Sequence, residues 1–182
     1  MSHFDSAYDV DMADLPFAVG AIDLVPMDLA NLRRLGAAQP VDFGPMELLE
    51  GSLPPQGVAI RALAQLQAGV AECWCVPFLI VPASREVVLG GCLFKSAPVN
   101  GVVEISYGIA KSRRGRGIAT VAVGKLVQMA KDSGIVSEIV AHIVPTNIGS
   151  ARLVRRLGFV QGPSFVDSDG ETVVRWVLDV RR

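Results

Sequence analysis

The stretch AKSRRGRGIAT, Ala110 to Thr120, sets four cations (Lys111, Arg113, Arg114 and Arg116) and two glycines between an apolar strand-like run and a helical pattern. A helix that starts near Gly117 leaves its first four backbone N–H groups without intrahelical acceptors, and its dipole concentrates positive charge at the same end. Gly115 and Gly117 remove side chains that would hold an anion away from the backbone, and the arginines add charge-assisted donors suited to phosphate. One reading is therefore a phosphate or pyrophosphate site. Another is a solvated basic turn whose glycines only reverse the chain. A third, an RNA-contacting patch, lacks aromatic residues for base stacking, since none lies between Tyr107 and Phe159. The loop carries no G-x-x-x-x-G-K-[ST], and no G-x-G-x-x-G after a first strand, which disfavours nucleotide hydrolysis and nicotinamide binding.

Upstream of the loop, residues 73–81, 87–95 and 102–109 read as three strands separated by VPASRE and SAPVNG, whose Pro, Ser, Asn and Gly supply turns. This predicts an antiparallel meander. Downstream, residues 118–131 carry a polar stripe of Thr120, Gly124, Gln128 and Lys131 beside apolar Val121, Ala122, Leu126 and Met129, a mostly buried helix ended by Ser133-Gly134. Residues 138–144 read as a strand, 147–157 as an amphipathic helix and 173–180 as a last strand. Ahead of the meander come a strand at 21–26 and helices at 27–35 and 58–68, joined by a Pro/Gly-rich connection with a helical turn at 46–50. The order β, α, α, β-β-β, α, β, α, β, β predicts an α/β (α+β) domain with one sheet and helices on both faces.

At 182 residues the chain suits a single core, assigned to residues 19–182. Residues 1–18 read as a solvated acidic tail with Asp5, Asp9, Asp11 and Asp14. With 17 Lys and Arg against 18 Asp and Glu, no global field attracts nucleic acid or anionic membrane, so neither is expected as a partner. The start has no apolar core of a signal peptide and no later run is long enough to span a membrane. Cys73, Cys75 and Cys92 lack zinc-like spacing, and strand alternation would point the first two the same way, as small core groups; no metal site is expected. A reducing, cytoplasmic compartment fits this cysteine usage.

Arg114 to Ala119, RGRGIA, fits the R/Q-x-x-G-x-G/A signature of the GNAT superfamily of acetyl-CoA-dependent N-acyltransferases, and it lies where that family places it, between a central strand and a helix. AHIVPTNIGS, from Ala141, and RLVRRLGF, ending at Phe159, resemble the asparagine-to-LGF block of the RimJ/RimL-type branch. With the preceding EISYGIA, the resemblance spans residues 104–159. It implies a GNAT-like, mostly antiparallel central sheet whose 102–109 and 138–144 strands splay apart to hold the cofactor. It further implies that backbone N–H groups of Arg114, Gly115, Arg116, Gly117, Ile118, Ala119 and Thr120 cradle the pyrophosphate of acetyl-CoA, that pantetheine lies beside Tyr107, Gly108 and Ile109, and that Asn147 and Ser150 stand near its thioester end. Read as residues alone, Asn147 is a natural helix N-cap and Ser150 an ordinary first-turn residue.

Acetyl transfer to an amine needs a base for the ammonium, stabilisation of the carbonyl oxygen and a proton for the departing thiolate. Glu104, a carboxylate inside an apolar strand, is the first candidate base, with a solvent-facing Glu as the alternative; His142 is a candidate relay or a packed strand residue. Many relatives carry an acidic Tyr three residues before the Leu of the LGF block, where this chain has Val154, leaving water, Ser150 or Tyr107 to serve. The expectation is an N-acetyltransferase acting on a primary amine, either a protein or peptide N-terminus or a small molecule. A weakly catalytic acyl-CoA-binding regulatory module is the alternative, and a homodimer is compatible with both.

Overall fold

A computed structural model describes residues 22–181. The acidic tail at 1–18 lies outside the described residues, as do residues 19–21 at the head of the expected domain. Seven strands form one sheet in the order β1 (Ile22–Pro26), β3 (Phe78–Pro82), β5 (Gly90–Phe94), β6 (Val102–Ile109), β7 (Glu138–Ile143), β9 (Thr172–Asp179), β8 (Val160–Val166). All neighbours are antiparallel except β6 and β7, which are parallel because the crossover helix α4 (Ile118–Asp132) returns the chain to the same end. Short β2 (Glu47–Leu48) and β4 (Val87–Val88) pair separately. The expected mixed, mostly antiparallel sheet is therefore present.

Strand alternation divides the core in two. On one face Ile80, Phe94, Ile105, Ile139 and Trp176 pack under α4 and α5 (Ile148–Arg156), through residues such as Leu126 and Val154. On the other, Leu79 and Val81 are covered by Leu32 of α1 (Leu29–Gly36) and by Ala59 and Ala62 of α2 (Gln56–Gln67). Further along this second face, over β6, β7 and β9, the residues turn polar and only part-buried: Glu104, Ser106, Glu138, His142 and Arg175. Helix α1 is fixed to the loop that follows it by nearly buried Asn31, whose amide donates to the Asp28 carboxylate (2.7 Å) and the Asp42 carbonyl (2.6 Å) and accepts from Asp42 N–H (2.7 Å). Among the described residues, no helix is long and apolar enough to cross a membrane.

Several expected elements shift. Residues 73–75 belong to a helical turn, α3 (Glu72–Cys75), and the strand starts at Phe78. The boundary is local: Val76 precedes Pro77 and is extended (φ −78, ψ 131), as the proline ring requires, so the turn stops there. The two cysteines consequently do not share a direction; Cys73 is exposed, whereas Cys75 and Cys92 are buried. The helical turn expected at 46–50 is strand β2, and the strand expected at 87–95 divides into β4 and β5. The first helix begins after Asp28, whose carboxylate accepts from Asn31 N–H at 2.8 Å and caps it. The penultimate strand, foreseen only as a place in the order, is β8, an edge strand that tolerates Pro163 and slips register between Gln161 and Ser164.

Candidate active site

Strands β6 and β7 pair only over Val102–Glu104 with Glu138–Val140. Beyond that point β6 stays with β5 as far as Ile109, while β7 stays with β9 as far as Ile143, so a gap opens between them. Hydrogen-bond phase decides which peptide groups face it. Lys95 N–H donates to the Glu104 carbonyl (2.8 Å) and Ala110 N–H to the Leu89 carbonyl (2.9 Å). In an antiparallel ladder this turns the peptide groups of Ser106 and Gly108 toward β5, and those of Tyr107 and Ile109 into the gap. On the opposite wall, Val180 N–H donates to the Ser137 carbonyl (3.0 Å), and the same alternation turns the peptide groups of His142 into the gap. Gly108 contributes space, since a Cβ there would meet nothing within 4 Å.

At the open end of β6 the chain makes a 3-10 turn (Lys111–Arg113), then enters α4 through Gly115 (φ 73) and Gly117 (φ 78). Both glycines are left-handed, a conformation that strains other residues. Buried Ile118 anchors the helix start, and the first helical bond runs from Val121 N–H to the Gly117 carbonyl (3.2 Å). Among the described residues no protein acceptor takes the N–H groups of Gly115, Arg116, Gly117, Ile118, Ala119 or Thr120. Arg114 Nε donates to the Ile109 carbonyl (3.0 Å), tying the loop to the wall of the gap, a role sequence spacing does not reveal. Arg113 Nε is enclosed and has no acceptor among the described residues.

The facing helix contributes Asn147 and Ser150. Asn147 caps α5, its Oδ1 accepting from Ser150 N–H at 3.1 Å. The Ser150 carbonyl accepts from the Tyr107 hydroxyl at 3.5 Å, linking β6 to the first turn of α5. Burial pushes the Tyr107 phenol up, and the contact with Ser150 partly offsets this. Val154 is fully buried in the core and offers no proton.

Glu104 sits where the two strands part. Its Oε1 lies against Lys95 Nζ, one residue past the end of β5, and 3.0 Å from His142 Nδ1 of β7, close contacts that do not reach hydrogen-bond geometry. The Glu104 and His142 side chains are 26% and 24% exposed, open enough to be reached and closed enough to hold their geometry. Phe165 of β8 meets the His142 ring edge-on at 4.9 Å, and Arg175, directly opposite His142 on β9, bonds Glu138 instead. The sequence marks both Glu104 and His142 but does not join them. Lys95, not foreseen, follows the last residue of β5, and its N–H bond to the Glu104 carbonyl carries the ladder one residue further and sets the two side chains side by side.

Residues 46–160 match the family model described as Acetyltransferase (GNAT) domain. The chain is 33% identical over 84 residues to the uncharacterized N-acetyltransferase YjdG of Bacillus subtilis, which is 46% of this chain and 50% of that protein. It spans about half the length of the curated relatives it matches. Among solved structures, aminoglycoside acetyltransferase AAC(6')-Ib in complex with coenzyme A aligns with TM-score 0.61 at 16% identity, covering 87% of this chain and 95% of that one. Ribosomal-protein-S5-alanine acetyltransferase from Vibrio fischeri aligns with TM-score 0.57 at 16% identity, covering 69% and 70%. At these identities the two structures speak to the fold.

Proposed function

The chain belongs to the GNAT acetyltransferase family, and from that premise we propose that it transfers the acetyl group of acetyl-CoA to a primary amine by direct attack. The observation that carries this reading is the gap between β6 and β7, with the peptide groups of Tyr107, Ile109 and His142 turned into it and unbonded N–H groups at its mouth. The donor set fits the co-substrate. The N–H groups from Gly115 to Thr120 and the orphaned Arg113 Nε suit a pyrophosphate, Arg114 and Arg116 add charge, and a gap walled by outward-turned peptide groups suits an amide-bearing chain such as pantetheine. Acetyl-CoA supplies an acetyl group activated as a thioester.

The remaining chemistry falls to this chain. His142 N–H is the gap-facing donor at the narrow end, suited to stabilise negative charge on a carbonyl oxygen. Tyr107, whose phenol keeps its proton at neutral pH, and Ser150 stand at the α5 side as groups able to protonate a thiolate. The Glu104 cluster receives the acceptor ammonium. Its charges are already matched, Lys95 on Glu104 and Arg175 on Glu138, which favours an acceptor bearing one amine, such as a peptide N-terminus, over a polycation.

Calorimetry with acetyl-CoA, followed by thiol release with a panel of amines and peptides, tests the reading. Binding with thiol release is the expected result, and binding without release from any amine would instead mark an acyl-CoA-binding module. No binding at millimolar acetyl-CoA would overturn the assignment.

A further inference from the structure

We infer that two copies of this chain join along the outer edge of β8, Ser164–Val166 of each pairing antiparallel with the same segment of the other across a two-fold axis at Phe165. The inference stands apart from the acetyltransferase reading above. β8 closes the sheet on one side, and among the described residues no strand pairs with its outer edge. Such an edge is a template for strand addition unless charge, proline or a bulge blunts it. Here Pro163 and the register slip both fall before Ser164, and the strand carries no charged residue, so Ser164 to Val166 are left bare. The strand is also apolar where it meets solvent: Val160 is 71%, Val166 65% and Phe165 39% exposed. The opposite edge of the sheet, β1, is instead tied to α4 by Asp23 and Lys125 (3.7 Å).

Hydrogen-bond phase shows what the β8 edge offers. Asp167 N–H donates to the Glu171 carbonyl (2.9 Å), so the peptide groups of Phe165 bond β9 while those of Ser164 and Val166 turn outward. The N–H and carbonyl of both outward residues thus stand ready for an antiparallel partner. The same segment of a second copy matches them: Ser164 bonds the partner's Val166, and Val166 bonds the partner's Ser164, so every outward group is satisfied. Phe165 then faces the partner's Phe165 with Cα atoms about 4.5 Å apart, the close spacing at which cross-strand aromatic rings meet. Because Phe165 already lies edge-on to His142 at 4.9 Å, the join adjoins the candidate active site of both copies.

Charge favours a second copy over an unrelated strand. Arg155 lies over Trp176, 5.6 Å from the ring centre, and Trp176 pairs with Gln161, so a cation stands beside the first end of β8. Arg152 and Arg156 are exposed on the same helix. The other end of β8 runs into an acidic turn of Asp167, Asp169 and Glu171. Among the described residues, none of these arginines forms an ion pair, and neither does Asp169 or Glu171. An antiparallel two-fold interchanges the two ends. The register that bonds Ser164 to the partner's Val166 carries the partner's Asp169 level with Gln161, beside Arg155, and symmetry repeats the contact across the axis.

Sedimentation velocity of the full 182-residue chain at about 1 to 100 µM should show a monomer–dimer equilibrium. Val166→Lys, at an exposed position, should weaken the dimer about 10-fold or more. Arg155→Glu and Asp169→Lys should each weaken it by about the same factor, and the two together should recover affinity, a rescue that damaged folding does not produce. Hydrogen exchange needs no variant: the Ser164 and Val166 amides of the wild type should exchange more slowly as its concentration rises through that range. A chain that stays monomeric throughout, leaving the edge to a strand of another protein, would overturn the inference. So would a dimer that Val166→Lys leaves intact, or Ser164 and Val166 amides indifferent to concentration, the last deciding the matter even if the variants fail to fold.

Discussion

Replacing Gly90 by alanine should damage the wall of the gap from behind. Gly90 lies on β5 opposite Ile109, and a Cβ built there would stand 2.2 Å from the Gly108 carbonyl oxygen and 3.0 Å from Ile109 Cα. Both obstacles are main chain, so no rotamer change relieves them. Ordinary contact begins about 1.2 Å farther out, so β6 must retreat by roughly that distance along Gly108 and Ile109. Overpacking of this kind costs about 1–3 kcal/mol, which for a domain of this size lowers Tm by roughly 2–12 °C. The displacement is away from β5 and therefore into the gap, so it shifts the peptide groups of Tyr107 and Ile109 off the positions from which they would bond a ligand there. At about 0.5–1.5 kcal/mol for each of two bonds, acetyl-CoA affinity should fall roughly 5- to 150-fold. Gly91→Ala is the internal control, because its Cβ would meet nothing nearer than 3.5 Å. Thermal melts and calorimetry on both variants decide the matter. A Gly90→Ala protein with wild-type Tm and affinity would refute the reasoning.

Four further outcomes are expected. Arg114→Ala and Gly117→Asp should both weaken acetyl-CoA binding in calorimetry, the first by also releasing the loop from the Ile109 carbonyl; normal affinity in both would contradict the pyrophosphate assignment. Asn31→Ala should cost about 2–3 kcal/mol in denaturant unfolding, since it strands the Asp42 peptide groups that Asn31 satisfies. At Asp28 burial opposes the charge, but bonds from the Asn31 backbone and amide outweigh it and hold the carboxyl below its ordinary value. The stability it supplies is therefore full above the ordinary carboxylate range and lost as pH falls through the lowered value. Asp28→Asn should accordingly flatten the acid limb of Tm against pH. Burial pushes the Cys92 thiol up to about 12 and raises Cys75 as well, so a thiol reagent near pH 8 should label exposed Cys73 promptly and the other two only on unfolding.

What sequence reading reaches and what it misses divides along the range of the interactions involved. The strand Val102–Ile109, its glycine loop and helix α4 are legible because side-chain period, left-handed glycines and an unpaired helix start are all properties of adjacent residues. Asn147 as a cap is legible for the same reason. The Cys73 error arises where apolar residues run without a break from a four-residue helix into a strand, and only the conformation imposed by Pro77 separates them. Strand β8 hides because it is mostly exposed, carries a proline and breaks register, so it has no period to read. The Glu104–His142 contact and the Arg114 tie to Ile109 depend on which strands become neighbours and how far they stay together. Those are tertiary facts, and no spacing encodes them.

Among the described residues, three residue pairs are all the direct strand pairing that joins the β1-β3-β5-β6 half of the sheet to the β7-β9-β8 half. Along the rest of this seam, cohesion is left to α4, α5 and the side chains beneath them, with the Glu104–His142 contact on the other face. The seam is therefore where cooperativity should be lowest: the amides of Tyr107, Ile109 and His142 should exchange with solvent through small local openings, while those of β5 and β9 wait for global unfolding. A chain-like ligand lying in the seam would be, for the protein, a missing strand, and its occupancy should be readable as a single slow-exchange unit spanning both halves.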